Sequence, residues 1–212
     1  MRVQVCGITS KDDACAAADL GVDALGFLVG LVHASEDELS AAEARKIVEA
    51  LPPFVVATLV THRADPADVR ELAREVRPQA VQLQGAFPLD DIPALREALS
   101  VKVVKVVHVE GEASVAAAVE AARYADAVLL DTRTPERIGG TGTTHDWSIS
   151  RRIRDALAPA PVILAGGLTP DNVAGAIERV RPYAVDVNSG VSSARGRKSP
   201  RLVEAFVRAA KR

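Results

Sequence analysis

Aromatic side chains are scarce in this chain: four Phe, two Tyr and one Trp, 3% of 212 residues. A core must therefore be filled by Val, Leu, Ile and Ala. No aromatic residues interleave with basic ones, the pattern that stacks and holds nucleic acid. Cysteine is scarcer still, and Cys6 and Cys15 alone do not make a disulfide framework, which points to a reducing cytoplasm. No apolar run approaches the roughly 18 residues of a membrane span. The N-terminus reads as a strand rather than a signal peptide, so no membrane partner is expected. Neither sign of charge dominates: the formal net charge is -2 with no basic block, and no nucleic-acid partner is expected. What is present, 48% apolar and 25% charged residues, is an ordinary globular mixture, and the length suits a single domain over residues 1–212.

Short apolar runs recur at 3–6, 24–29, 54–60, 80–83, 101–107, 127–130, 162–164 and 183–187. Each reads as a strand buried on both faces, because its apolar residues are continuous rather than alternating. Between them lie helical patterns. Ala44, Ile47, Val48 and Leu51 share one spacing, as do Val69, Leu72, Ala73 and Val76; Val173, Ala176, Ile177 and Val180 repeat it. In the last helix the expected face is Leu202, Ala205, Phe206 and Ala209. Start signals agree: Ser10 as a cap, Ser40 with Glu43 as a capping box, and Asp65-Pro66 and Ser199-Pro200 as cap-proline pairs. Eight strand–helix alternations predict a parallel sheet closed into a (β/α)8 barrel. Prolines precede the strands, while glycines and polar residues follow them, on the face where such barrels place chemistry.

Two glycine-bearing strand ends stand out. In PVILAGGLTPDN, Gly166 and Gly167 follow a strand, and Thr169 is expected to cap a helix starting at Pro170. One strand later, VDVNSGV offers Asn188, Ser189 and Gly190. Bare backbone at a helix N-terminus suits phosphate, and two such units in succession predict a phosphate-binding end. The other strand ends carry Cys6, His62, Gln82, Gln84, His108, Asp131 and Asp186. Barrel closure places Cys6 and Asp131 on opposite sides of the mouth, where a thiol and a carboxyl can divide proton removal and donation. His33, His62 and His108 near one mouth raise a metal-dependent phosphosugar epimerase or lyase as an alternative. They lack His-x-Asp or i, i+4 spacing, so no metal is expected. A phosphate-binding barrel without catalysis ranks last. Cys15 and Trp147 read as packing, and Arg151, Arg152 and Arg154 as a solvated helix face.

VQVCGIT at 3–9, VQLQG at 81–85, LLDT at 129–132, GGTGTTHDW at 139–147, LAGGLTPDNV at 164–173 and VDVNSGV at 185–191 occur in this order. Together they resemble the phosphoribosylanthranilate isomerase family of tryptophan biosynthesis, across nearly the whole chain. The resemblance implies a cofactor-free Amadori rearrangement of a small phosphosugar, by a monomer or homodimer. It implies Cys6 as general base, Asp131 as general acid, and Gly166, Gly167, Asn188, Ser189 and Gly190 around the phosphate. Gln82, Gln84, Asp186 and Arg63 would contact the rest of the substrate. The glycines of the loop 132–146 would permit it to close. Three positions depart from the family pattern. Gln4 replaces its usual lysine and Gln84 its usual histidine. Glu36 and Asp37 stand where Ser-Pro-Arg is expected to clamp the aglycone carboxylate. An acidic residue there would repel a carboxylate. For the family's usual substrate, Arg63 or Arg133 would take over the clamp; the alternative is a paralogue acting on a different N-riboside phosphate.

Overall fold

The computed structural model describes residues 1–134, 137–138, 144–194 and 196–212, with 133, 134, 137, 138 and 194 described by backbone alone. Eight parallel strands form a closed barrel: β1 (Arg2–Cys6), β2 (Ala24–Leu28), β3 (Val56–Thr61), β4 (Ala80–Leu83), β5 (Lys102–His108), β6 (Ala127–Asp131), β7 (Val162–Leu164) and β8 (Ala184–Val187). The ring closes where β1 pairs β8, with Gln4 opposite Asp186. Around it run α1 (Lys11–Asp19), α2 (Ala41–Val48), α3 (Pro66–Val76), α4 (Ile92–Leu99), α5 (Ala113–Ala122), α6 (Trp147–Leu157), α7 (Val173–Val180) and α8 (Pro200–Ala210). Two short hairpins decorate the mouth, Arg133–Thr134 with Arg137–Ile138 and Ser192–Ala194 with Arg197–Lys198.

The start signals operate as read from the sequence. Ser10 accepts from the Asp13 N–H at 3.1 Å, Ser40 and Glu43 form a capping box, and Asp65 and Ser199 cap helices that open on proline. Other expectations shift. Phe54 is fully exposed at φ 71, a left-handed backbone that a strand does not tolerate, so β3 begins at Val56. In α8 the buried face is Val203, Phe206, Val207 and Ala210, one residue round from the expected stripe. Both stripes are apolar, and docking on the barrel selects the one with the larger valines. Arg154 is not solvated: its Nε donates to the Val180 carbonyl at 3.0 Å, tying α6 to the end of α7.

The main apolar core lies between strands and helices, with Phe27, Leu59, Leu83, Ile92, Leu95, Ile153 and Phe206 fully buried. Burial of one such side chain stabilises the fold by roughly 1.5–3 kcal/mol. The barrel interior is divided. Val104, Val106, Leu129, Ile163, Ala165 and Ala184 make one half apolar. Gln4, Thr58, Gln82 and Gln84, all buried, make the other half polar.

Candidate active site

Cys6 ends β1 with its sulfur inside the barrel. Opposite it in register, Gly26 on β2 leaves the necessary space, since a Cβ there would collide with the Cys6 Sγ. The sulfur accepts an N–H from Gln4 Nε2 at 3.2 Å. Gln4 Nε2 also donates to Gln82 Oε1 at 3.0 Å, while Gln4 Oε1 accepts the Thr58 hydroxyl at 3.2 Å. Gln82 Nε2 continues to Gln84 Oε1 at 3.3 Å, and Gln84 Nε2 to Asp131 Oδ2 at 3.0 Å. One unbroken line of buried amides therefore joins the thiol on β1 to the carboxyl on β6. Buried amides are stable only when their donors and acceptors are matched, and here each supplies the next.

Both ends of this line are electrostatically unusual. Burial, then the neighbouring Asp186 carboxylate, pushes the Cys6 thiol well above its ordinary range, against the Gln4 donor and the Lys198 cation. The thiol donates to Asp186, whose own value burial raises to about 6, with the Asp131 charge adding to the rise. Asp186 Oδ1 is buried with no hydrogen-bond partner. Asp131 is also raised by burial, although Oδ1 accepts the Thr132 N–H at 2.7 Å and Oδ2 the Gln84 amide. A thiol and two carboxyls with shifted ionisation inside one barrel mouth make a candidate acid–base site.

Beside them are the two glycine loops. Gly166 and Gly167 both have positive φ, 82° and 65°, and a Cβ on Gly166 would collide with Thr132. A Cβ on Gly190 would run into the Leu168 carbonyl, so the loops after β7 and β8 touch. Thr169 does not cap a helix at Pro170. Its N–H donates to Asn172 Oδ1 at 2.8 Å, the Asn172 amide donates to the Gly167 carbonyl at 2.9 Å, and this side-chain-closed turn delays α7 to Val173. A short 3₁₀ turn, Ser189–Val191, instead opens after β8, with Ser189 exposed.

A family model described as "N-(5'phosphoribosyl)anthranilate (PRA) isomerase" matches residues 3–209. The chain is 44% identical over 207 residues to N-(5'-phosphoribosyl)anthranilate isomerase of Methanocella arvoryzae, covering 97% of this chain and 96% of that protein. The chain belongs to this family. Among solved structures, the isomerase of Thermotoga maritima superposes with a TM-score of 0.87 at 38% identity, covering 100% of this chain and 98% of that one. A phosphoribosylanthranilate isomerase in complex with reduced 1-(o-carboxyphenylamino)-1-deoxyribulose 5-phosphate superposes at 0.83 with 35% identity, covering the same shares. As a member of the isomerase family, the chain is an enzyme on the (β/α)8 barrel.

Against the expectations for the phosphoribosylanthranilate isomerase pattern, the remaining side chains divide. Cys6, Asp131, Asp186, Gln82 and Gln84 converge in the barrel, but Gln82 is only 3% exposed and its amide is spent on its neighbours. The Asn188 side chain accepts from Lys198 Nζ at 2.6 Å. Asp37 folds toward the β8 loop, 3.9 Å from Lys198, in a crevice that a Cβ on Gly7 would fill. Arg63 lies across Gly30, at φ 70, with its Nε 2.9 Å from where a Cβ would sit, and makes a long 3.9 Å pair with Asp68. Arg133 is described by backbone alone, and residues 135–136 and 139–143 of the glycine-bearing loop lie outside the described residues.

Lys198 was not legible as a site residue. It is 5% exposed, donates to Asn188 and Ser192, and faces Cys6, Asp186 and Asp37. In sequence it sits in a charged stretch, RGRKSP, that carries no signal of burial. His145 is not in solvent: it bridges Thr132 at 3.0 Å and Ser150 at 2.6 Å, and burial lowers it to about 4. His62 accepts the Val32 N–H at 3.3 Å, and His33 is exposed. Among the described residues no group of three His, Cys, Asp or Glu side chains stands at metal-binding spacing, and no helix is long and apolar enough to cross a membrane.

Proposed function

We propose that this enzyme isomerises N-(5'-phosphoribosyl)anthranilate by an Amadori rearrangement, with Asp131 as general acid and Cys6 as general base. The observation that carries this reading is the placement of a thiol and a carboxyl at two ends of one hydrogen-bonded line, in a mouth bordered by two bare glycine loops. The phosphate is held by backbone N–H groups after β7 and β8, around Gly166, Gly167, Ser189 and Gly190, as (β/α)8 enzymes commonly hold it. Asn188 contributes its backbone there, because its side chain is bound to Lys198.

Asp131 gives its proton to the ribose ring oxygen. The C1′–O bond breaks as the nitrogen lone pair forms the C1′=N bond of a Schiff base. Cys6, as thiolate, then removes the C2′ proton. The C2′–H electrons form C1′=C2′, the former imine electrons return to nitrogen, and the enolamine becomes the 2-ketone by gaining a proton at C1′ and losing the proton of the C2′ hydroxyl. Asp186, hydrogen-bonded to the thiol, is the first acceptor for the proton that Cys6 must lose to become active. Such acid–base pairs typically supply 10²–10⁴-fold each.

Asp37 bends toward Lys198, so it does not repel a carboxylate on the aglycone, and Arg63 over Gly30 is the cation we assign to it. A guanidinium can clamp a carboxylate bidentately. The reducing cytoplasm remains the setting we infer from two free cysteines. Purified chain mixed with phosphoribosylanthranilate tests the reading: consumption of the substrate well above the buffer rate is expected, and a rate equal to buffer refutes it.

A further inference from the structure

Glutamines are unusual furniture for a barrel interior, and three of them here are buried, adjacent and head to tail. Their direction is not arbitrary. Asp131 accepts on Oδ1 from the Thr132 N–H and on Oδ2 from the Gln84 NH2, which turns the Gln84 carbonyl back toward Gln82. Gln82 must then give its NH2 to Gln84 and its carbonyl to Gln4. Gln4, with its carbonyl facing the Thr58 hydroxyl, is left presenting an N–H to the Cys6 sulfur. Aligned amides polarise one another, so each link strengthens the next.

We propose that Gln4, Gln82 and Gln84 are positioning residues that couple the two reacting groups: the anchoring of Gln84 on Asp131 fixes the polarity of all three amides and thereby holds a hydrogen-bond donor on the Cys6 sulfur. The assignment of roles to Cys6 and Asp131 rests on the function proposed above; the coupling itself is a property of the resting protein. It accounts for two departures from the family pattern together, Gln4 for lysine and Gln84 for histidine. A lysine donates to the sulfur by itself, whereas a glutamine does so only if its amide is held the right way round.

The charged groups facing the sulfur are Asp186 on β8 and Lys198 beyond it, which in turn faces Asp37 and Asp13. Asp186 also faces Asp131. A glutamine-to-methionine change alters none of these charges, so it isolates the amide line. Gln84 is the informative position because Gln82 and Gln4 separate it from the sulfur.

The test is the rate at which iodoacetamide alkylates Cys6 at pH 8, followed by intact mass in a Cys15→Ser background, where the rate follows the thiolate fraction. Losing the held donor raises the thiol by about one pH unit, so Gln84→Met is expected to react about tenfold more slowly than the parent. Gln82→Met carries the same expectation should Gln84→Met fold poorly. Gln84→His, whose neutral ring both donates and accepts, is expected to stay within about twofold of the parent rate. Equal rates in the parent and the methionine variants, or no alkylation of Cys6 in any of them, overturn the coupling. Since no turnover is measured, that failure is distinguishable from failure of the isomerase reading.

Discussion

At the scale of single residues, the barrel mouth sets the charge of a few groups against their burial. Asp186 is the clearest. Its folded value of about 6 lies above the ordinary carboxylate range, so the folded state binds the proton more tightly than the unfolded chain. Its contribution is therefore neutral near pH 3, turns unfavourable as pH rises from about 4 to 6, and reaches its full cost above that window, about 2–3 kcal/mol. Asp186→Asn is thus expected to raise the stability measured by urea unfolding at pH 8 and to leave it nearly unchanged at pH 3.5. Equal gains at both pH values would contradict the ionisation as the cause. The cost is borne at a group hydrogen-bonded to Cys6, where a proton acceptor near neutrality serves the chemistry.

At the scale of elements, loops carry the residues to which we assign recognition, and strand ends carry those to which we assign catalysis. The loop after β8 is tied to the loop after β2 by Lys198 and Asp37, and to the loop after β1 by the Thr9 hydroxyl, which donates to the Gly196 carbonyl. The loop after β3 lays Arg63 over Gly30. Arg63→Ala is expected to raise KM for phosphoribosylanthranilate about ten- to a hundredfold while kcat changes less than threefold, because a carboxylate remote from C1′ and C2′ is bound equally in ground and transition states. An unchanged KM would place the clamp elsewhere. Strand ends were legible in sequence because apolar runs stop at polar residues, which is how Cys6, Asp131 and Asp186 came to share one mouth. Pairings across the barrel were not legible. That Gln4 meets Gln82, or that Gly26 makes room for a sulfur, depends on which strands face one another and in what register. Lys198 carries no mark in the sequence, because its surroundings come from the folding of its own hairpin onto Asn188 and from Asp37 on a loop distant in sequence. Asp37 occupied the expected place in the chain, but its side chain answered to Lys198 and Asn188, neither of which is near it in sequence.

At the scale of the whole molecule, the barrel brings Cys6 and Asp131, 125 positions apart in sequence, to one mouth while keeping the interior filled. Its apolar half, Val104 to Ala184, supplies ordinary core packing. Its amide half links Cys6 to Asp131 by hydrogen bonds. That division is compatible with a stable fold because the amides satisfy one another, leaving few buried polar atoms unpaired. The central claim is that Cys6 and Asp131 act as one pair on one substrate, and kcat for phosphoribosylanthranilate in Cys6→Ala, Asp131→Asn and the double variant tests it most directly. Each single change is expected to cost about 10²–10⁴-fold, and the double variant to lose little more than the worse single, since two groups that act as a unit are not additive. Full turnover in either single variant, or losses that multiply in the double, would contradict it.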